Sequence, residues 1–101
     1  MPTIVALIGD LMDRSRVTGA IPDARVVSSP ADTSGADVVV VDLARHGAAL
    51  ADVRSAAPGA LLVAYGPHVD EAAASAARAA GADRVLPRSA FFRDPAAAIA
   101  P

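Results

Sequence analysis

Four β-branched residues in a row, Val38-Val39-Val40-Val41, followed by Asp42 and Leu43, leave no polar face along this stretch. A strand that is apolar on both faces is one covered by helices on both sides, as in the middle of a parallel sheet. Related apolar runs recur along the chain. They are Thr3 to Ile8 (TIVALI), stopped by Gly9-Asp10; Ala24 to Ser28 (ARVVS); the central run over 37–42; Ala60 to Tyr65 (ALLVAY), cut off by Gly66-Pro67; and the short run Arg84 to Pro87. Between them the spacing becomes helical. Residues 11–20 form a weak helix, with Leu11, Met12 and Val17 turned to the sheet and Thr18-Gly19 loosening its end. Residues 29–35, Ser-Pro-Ala-Asp-Thr-Ser-Gly, are turn chemistry with room for one helical turn at most. Residues 47–57 place Leu50, Val53 and Ala57 on one inward face and end at Pro58-Gly59. Asp70 is an N-cap with Val69 as the hydrophobic staple before it, and the helix it opens runs to about Ala80, where Gly81 supplies a left-handed stop. Its expected inward stripe is Ala72, Ala73, Ala76, Ala77 and Ala80. Asp94-Pro95 reads as the cap and first residue of a short last helix, Pro95 to Ala100.

Strand and helix thus alternate five times, with a minimal second helix and a short last one. Right-handed crossovers onto a parallel sheet follow. The expected fold is an α/β, flavodoxin-like (βα)5 three-layer sandwich, one domain over residues 1–101 with strand order 2-1-3-4-5.

Composition narrows the chemistry. The chain is 53% hydrophobic but only 3% aromatic, so its core is aliphatic. Net charge is −2, lysine is absent and the nine arginines are scattered among acids, which argues against nucleic acid as a partner. Absence of cysteine excludes disulfides, thiolate metal sites and cysteine nucleophiles. No run reaches the roughly 20 apolar residues needed to span a bilayer, and Met1-Pro2-Thr3 lacks the basic start of a signal peptide. A cytoplasmic, non-membrane protein is the expectation. Gly9-Asp10-Leu11 after the first strand is not GxGxxG, and neither GxxxxGK[ST] nor GxSxG occurs.

Asp10, Asp42, the Gly66-Pro67-His68 turn and Arg88 each follow a strand. In a parallel sheet these ends share one edge, and Asp10 and Asp42 flank the point where strand order reverses. The layout resembles the receiver domain of bacterial two-component response regulators, the CheY-like superfamily, over nearly the whole chain. The stretch from Gly66 to Arg88, through Ala-Ala-Gly-Ala-Asp, carries the resemblance most clearly. The resemblance implies a phosphoacceptor at Asp42, a Mg²⁺ pair at positions 9 and 10, a hydroxyl at 66, a Lys-Pro pair at 88–89 and an aromatic switch at 85. The chain has Gly9, Asp10, Gly66, Arg88-Ser89 and Val85 at those positions.

These departures weaken the site. Mg²⁺ takes octahedral oxygen ligands, usually one or two carboxylates with waters; only Asp10 and Asp42 remain to supply them. Gly66 offers a phosphoryl oxygen no hydroxyl. Arg88 keeps the positive charge as a planar fork, which does not replace a compact ammonium. The resemblance therefore implies an atypical pseudo-receiver, not an enzyme: a signalling module that contacts a protein partner or itself, as a homodimer through its fourth helix, fifth strand and fifth helix. Two alternatives stay open, a genuine Mg²⁺-dependent phosphoacceptor on Asp42 and a small-anion site at Arg88 and Gly66. A structural Asp–Arg cluster also accounts for Asp10, Asp42 and Arg88, since Asp is a preferred N-cap. His68 is a further strand-end candidate, but it and His46 have no metal-like spacing.

Overall fold

The computed structural model describes residues 2–67 and 69–101. Five parallel strands form one sheet: β1 (Ile4–Leu7), β2 (Arg25–Val27), β3 (Val38–Asp42), β4 (Leu61–Gly66) and β5 (Arg84–Pro87), in the order β2-β1-β3-β4-β5. The valine run lies at the centre as its pattern predicts. Val39 pairs with Val5 on one side and Leu62 on the other, and Asp42 ends the strand opposite Tyr65.

Alternation along each strand sends side chains into two cores. One face carries Val5, Leu7, Val39, Val41, Leu62 and Ala64 and is covered by α3 (Leu50–Ala56) and α4 (Glu71–Ala79) through Leu50, Val53 and Ala77. The other carries Ala6, Ile8, Val40, Val63 and Tyr65. It is covered by α1 (Leu11–Ala20) through Val17, by α5 (Arg88–Arg93) through Phe91, and by Ile99, which caps the end of α6 (Pro95–Ala98). This is the expected three-layer sandwich. The second helix is reduced to one 3₁₀ turn, Pro30–Thr33, as the turn-rich sequence requires.

The helices depart from expectation in four places. Leu11 and Met12 are 79% and 69% exposed, and Asp13 turns inward with Val17 one turn later. The Asp10 cap sets the phase of the helix, and Asp13 finds polar partners inside that make its burial tolerable. In α4 the buried residues are Ala74 and Ala77, while Ala72 and Ala76 face solvent. A helix with alanine on every side has little apolar contrast to mark its inner face. A short helix, α2 (Leu43–His46), precedes the expected third helix because the Asp42 carboxylate caps it. The last helix is two pieces. Pro95 restricts Asp94 to extended backbone (φ −157°, ψ 86°), so α5 ends there and Asp94 caps α6 by accepting from the Ala97 amide at 3.2 Å.

The far edge of the sheet is held by Arg54 of α3. Its guanidinium donates to the carbonyls of Gly81 (3.1 and 2.8 Å), Ala60 (2.9 Å) and Pro58 (3.1 Å) and pairs with Asp83 at 2.8 Å. Asp83 also accepts from the Leu62 amide, which chiefly holds its carboxyl below the usual range. Gly81 has φ +120°, and an added Cβ would lie 2.9 Å from the Arg54 stem. Gly19, inside α1, has open space around it. Gly19→Ala should therefore raise unfolding stability by about 0.5–1 kcal/mol, whereas Gly81→Ala should lower it by more than about 1 kcal/mol. Urea midpoints of the two variants check both signs.

Candidate functional site

Three helix starts meet at the carboxyl edge of the sheet. Asp10 ends the β1 loop and caps α1, its Oδ1 accepting from the Asp13 amide at 3.0 Å. That bond, supported by the Met12 amide and by the charges of Arg88 and Arg45, holds the Asp10 carboxyl below its usual range. Asp42 ends β3, is buried, and caps α2 by accepting from the Ala44 amide at 2.9 Å. Arg88 opens α5 directly after β5. A cleft of about 180 Å³ brings Asp10, Asp42 and Arg88 together with Asp13, Arg45 and Tyr65.

The centre of the cleft is Asp13. One carboxylate oxygen accepts from the Tyr65 hydroxyl at 2.9 Å and the other from the Arg88 guanidinium. Arg88 thus pairs with Asp13, one turn into α1, and not with Asp10 or Asp42. This bond raises the Arg88 pKa further above its ordinary value. Tyr65 is buried, and its ring stacks on Phe91 with centroids 4.7 Å apart and meets the edge of Phe92 at 5.1 Å. Phe92 in turn lies under the Arg88 guanidinium, 4.9 Å away.

Both glycines of the edge are places of close approach. A Cβ on Gly9 would come within 2.9 Å of the Arg45 stem. Arg45 therefore occupies the space beside the position where the receiver resemblance expects a second acid. A Cβ on Gly66 would sit 3.3 Å from Leu43 Cβ, so Gly66 lets α2 pack against the end of β4. His68 lies outside the described residues.

No family model and no curated protein matches this sequence. Solved structures do. A response regulator from Burkholderia pseudomallei, crystallised with a phosphorylated aspartic acid, calcium and citrate, superposes with TM-score 0.74 at 17% identity, covering 96% of this chain and 65% of that one. HP1043, an orphan response regulator of H. pylori, gives 0.72 at 12% identity, covering 96% and 95%. The CheY-like protein tadZ from Pseudomonas aeruginosa gives 0.70 at 21% identity, covering 91% of each. The fold is that of a response-regulator receiver domain. Within this receiver fold, Asp42 stands at the end of the third strand and Asp10 after the first.

The donor set does not fit Mg²⁺ as it stands. Each of the three aspartates already accepts a hydrogen bond from the protein, and Asp13 is bound twice. Two guanidinium groups line the same cleft, so the positive charge a divalent ion would bring is already present. Among the described residues no group of three His, Cys, Asp or Glu is arranged to hold a metal.

Asp13, Arg45 and Tyr65 are the cleft residues that the sequence reading does not single out. A signal for Asp13 exists: it lies four residues before Val17, so whichever face buries one buries the other. Tyr65 is the residue before Gly66, level with Asp42 across the sheet.

Burial first, then the Asp13 bond and the Asp42 and Asp13 charges, push the Tyr65 hydroxyl above its ordinary pKa. A raised folded pKa means that its contribution to stability is complete below about pH 10 and is lost as pH rises beyond that. Tyr65 is the chain's one tyrosine and there is no tryptophan. Tyrosinate absorbance should therefore appear only together with alkaline unfolding, and Tyr65→Phe should flatten that part of the stability–pH curve. A tyrosine that titrates near pH 10 in the folded chain would contradict the buried bond.

Proposed function

We propose that this chain is a single receiver-like signalling domain that works as a protein-interaction module, with its phosphorylation cleft closed by its own arginines. The observation that carries the reading is the Asp13 carboxylate bound from two sides by Arg88 and Tyr65. Phosphoryl transfer to a carboxylate depends on positioning and on neutralising the developing charge. Here Arg88 is already engaged by the Asp13 carboxylate, which competes with a phosphoryl group for the same guanidinium. Gly66 offers no hydroxyl, and Arg45 covers Gly9. The same engagement argues against a free anion site at Arg88, because an anion there competes with Asp13 for the guanidinium.

The partner on this reading is a signalling protein or a second copy, met in the cytoplasm. The described helices include none long and apolar enough to cross a membrane. Self-association has a candidate face beside β5. That strand is a sheet edge paired only with β4, and Val85 and Leu86 on it are half-buried.

The genuine phosphoacceptor is the reading to test against. One similar structure is described with a phosphorylated aspartic acid and another as an orphan regulator, and Asp42 ends β3, where the receiver resemblance implies the acceptor. Beryllofluoride or acetyl phosphate with Mg²⁺ should leave the amide spectrum of the chain unchanged, and Asp42→Asn should make no difference to that result. Mg²⁺-dependent shifts around Asp42 that vanish in Asp42→Asn would establish phosphoacceptor chemistry and overturn the closed-cleft reading.

A further inference from the structure

Away from the acidic cleft, the edge strand β5 borders an open groove of about 400 Å³ between the end of α4 and α6. Small-molecule sites commonly occupy about 300–1,000 Å³, with an apolar lining and a few fixed polar groups. This groove has both. Val85, Leu86, Ala97 and Ala98 supply an apolar floor, and Arg78 and Arg84 supply the polar groups. Val85 and Leu86 are only half-buried, so the floor is open to solvent.

The two arginines are held differently. Arg84 reaches from β5 to α6, where its Nη1 donates to the Ala98 carbonyl at 2.9 Å. That bond fixes the guanidinium beside the groove, and the fork has further N–H donors to offer. Arg78 stands exposed in the last turn of α4. Among the described residues neither arginine forms an ion pair. Asp83 also lines the groove, but its carboxylate accepts from Arg54 and from the Leu62 amide. Arg54 thus already matches the Asp83 charge. The groove keeps an excess of positive charge on a chain that is net −2. A guanidinium fork takes a carboxylate or phosphate through two parallel bonds, and its flat face also stacks on an aromatic ring.

We propose that the groove between β5 and α6 binds a small organic anion, an apolar body that ends in a carboxylate or a phosphate. The body lies on Val85, Leu86 and Ala97. Arg84 grips the oxyanion and Arg78 closes over it. Charge selects an anion over an amine, and the apolar floor selects an organic anion over an inorganic one. The site shares no residue with the acidic cleft, so an occupant leaves the Asp13–Arg88 bond in place. This goes beyond the interaction-module reading, because it gives the domain a ligand of its own. Val85 and Leu86 also belong to the candidate self-association face, so a ligand and a second copy compete for them.

The test uses the full chain with benzoate and phenyl phosphate as probes, and benzylamine and inorganic phosphate as controls at equal ionic strength. At least one of the two aromatic anions should shift the amide signals of β5 and α6 saturably, and the one that binds more tightly identifies the oxyanion. Neither control should do so. Arg78→Glu and Arg84→Met should each weaken binding at least tenfold, while Arg25→Glu on the opposite edge strand β2 should leave it unchanged. Arg84→Met also removes the Ala98 bond, so Arg78→Glu, at an exposed side chain, decides if the other variant unfolds. Unaltered thermal unfolding confirms that it is folded. Silence from both probes, equal shifts from either control, shifts confined to other elements, or indifference to Arg78→Glu would each overturn the proposal. So would a dimer in sedimentation that Arg78→Glu disperses and neither probe does, which would make a second copy the occupant. The beryllofluoride experiment reads Asp42 in the other cleft, so the two readings fail independently.

Discussion

Carboxylates gathered at one edge of a sheet repel, and excluding water makes the repulsion worse. Two like charges 4 Å apart cost about 4 kcal/mol at an effective dielectric of about 20, against a total stability of about 5–15 kcal/mol for an ordinary domain. Asp10, Asp13 and Asp42 line one small cleft, and Asp13 and Asp42 are buried in it. Everything at that edge serves to neutralise them. The amides at the starts of α1 and α2 take up Asp10 and Asp42, where helix N-termini carry partial positive charge. Asp13 has moved past its cap into the helix and needs a full cation, which Arg88 supplies.

Packing then fixes the cation in place. An ion pair whose arginine is partly exposed contributes about 0–1 kcal/mol. Burying a phenylalanine contributes about 1.5–3 kcal/mol, with about 0.5–1.5 kcal/mol more for well-placed aromatic pairs. The chain spends all three of its aromatics here, Tyr65, Phe91 and Phe92, mutually in contact. Phe91 anchors α5 to the sheet, Phe92 supports the guanidinium, and Tyr65 ties the other Asp13 oxygen to β4. An otherwise aliphatic protein thus builds its aromatic cluster under its polar cleft, where a shape-specific wall holds Arg88 better than its charge alone.

Strands were legible in the sequence because their information is local. Uninterrupted valine and leucine runs between glycine and proline stops have one reading in a parallel sheet, and β3 and β4 fall where those runs are. The same holds for caps, since Asp10, Asp70 and Asp94 each bond to the amide three residues on. Helix phase was less legible. In α1 hydrophobicity pointed Leu11 and Met12 inward, but the pairing of Asp13 with residues 52 and 75 positions away reversed it. In α4 a nearly uniform alanine surface gave no contrast to read. The acidic edge could be anticipated from topology, because Asp10, Asp42 and Arg88 all follow strands. Which acid takes the arginine could not, because that depends on the rotation of α1 and on the aromatic wall beneath it.

A tethered guanidinium differs from a bound ion in one respect that matters for signalling. A ligand stabilises its site according to its free concentration, so a metal-dependent cleft reports on what is dissolved around it. Arg88 is part of the chain and its presence never varies. A two-state protein shifts only when something binds one state better than the other. On the reading proposed above, small ligands have little such hold on this cleft: each of its carboxylates is already bonded from within. What can still distinguish two arrangements is contact with the far side of the same residues, where Arg88 lies over Phe92 beside Arg16. A contact on that outer side bears on Arg88, and through it on Asp13 inside the cleft.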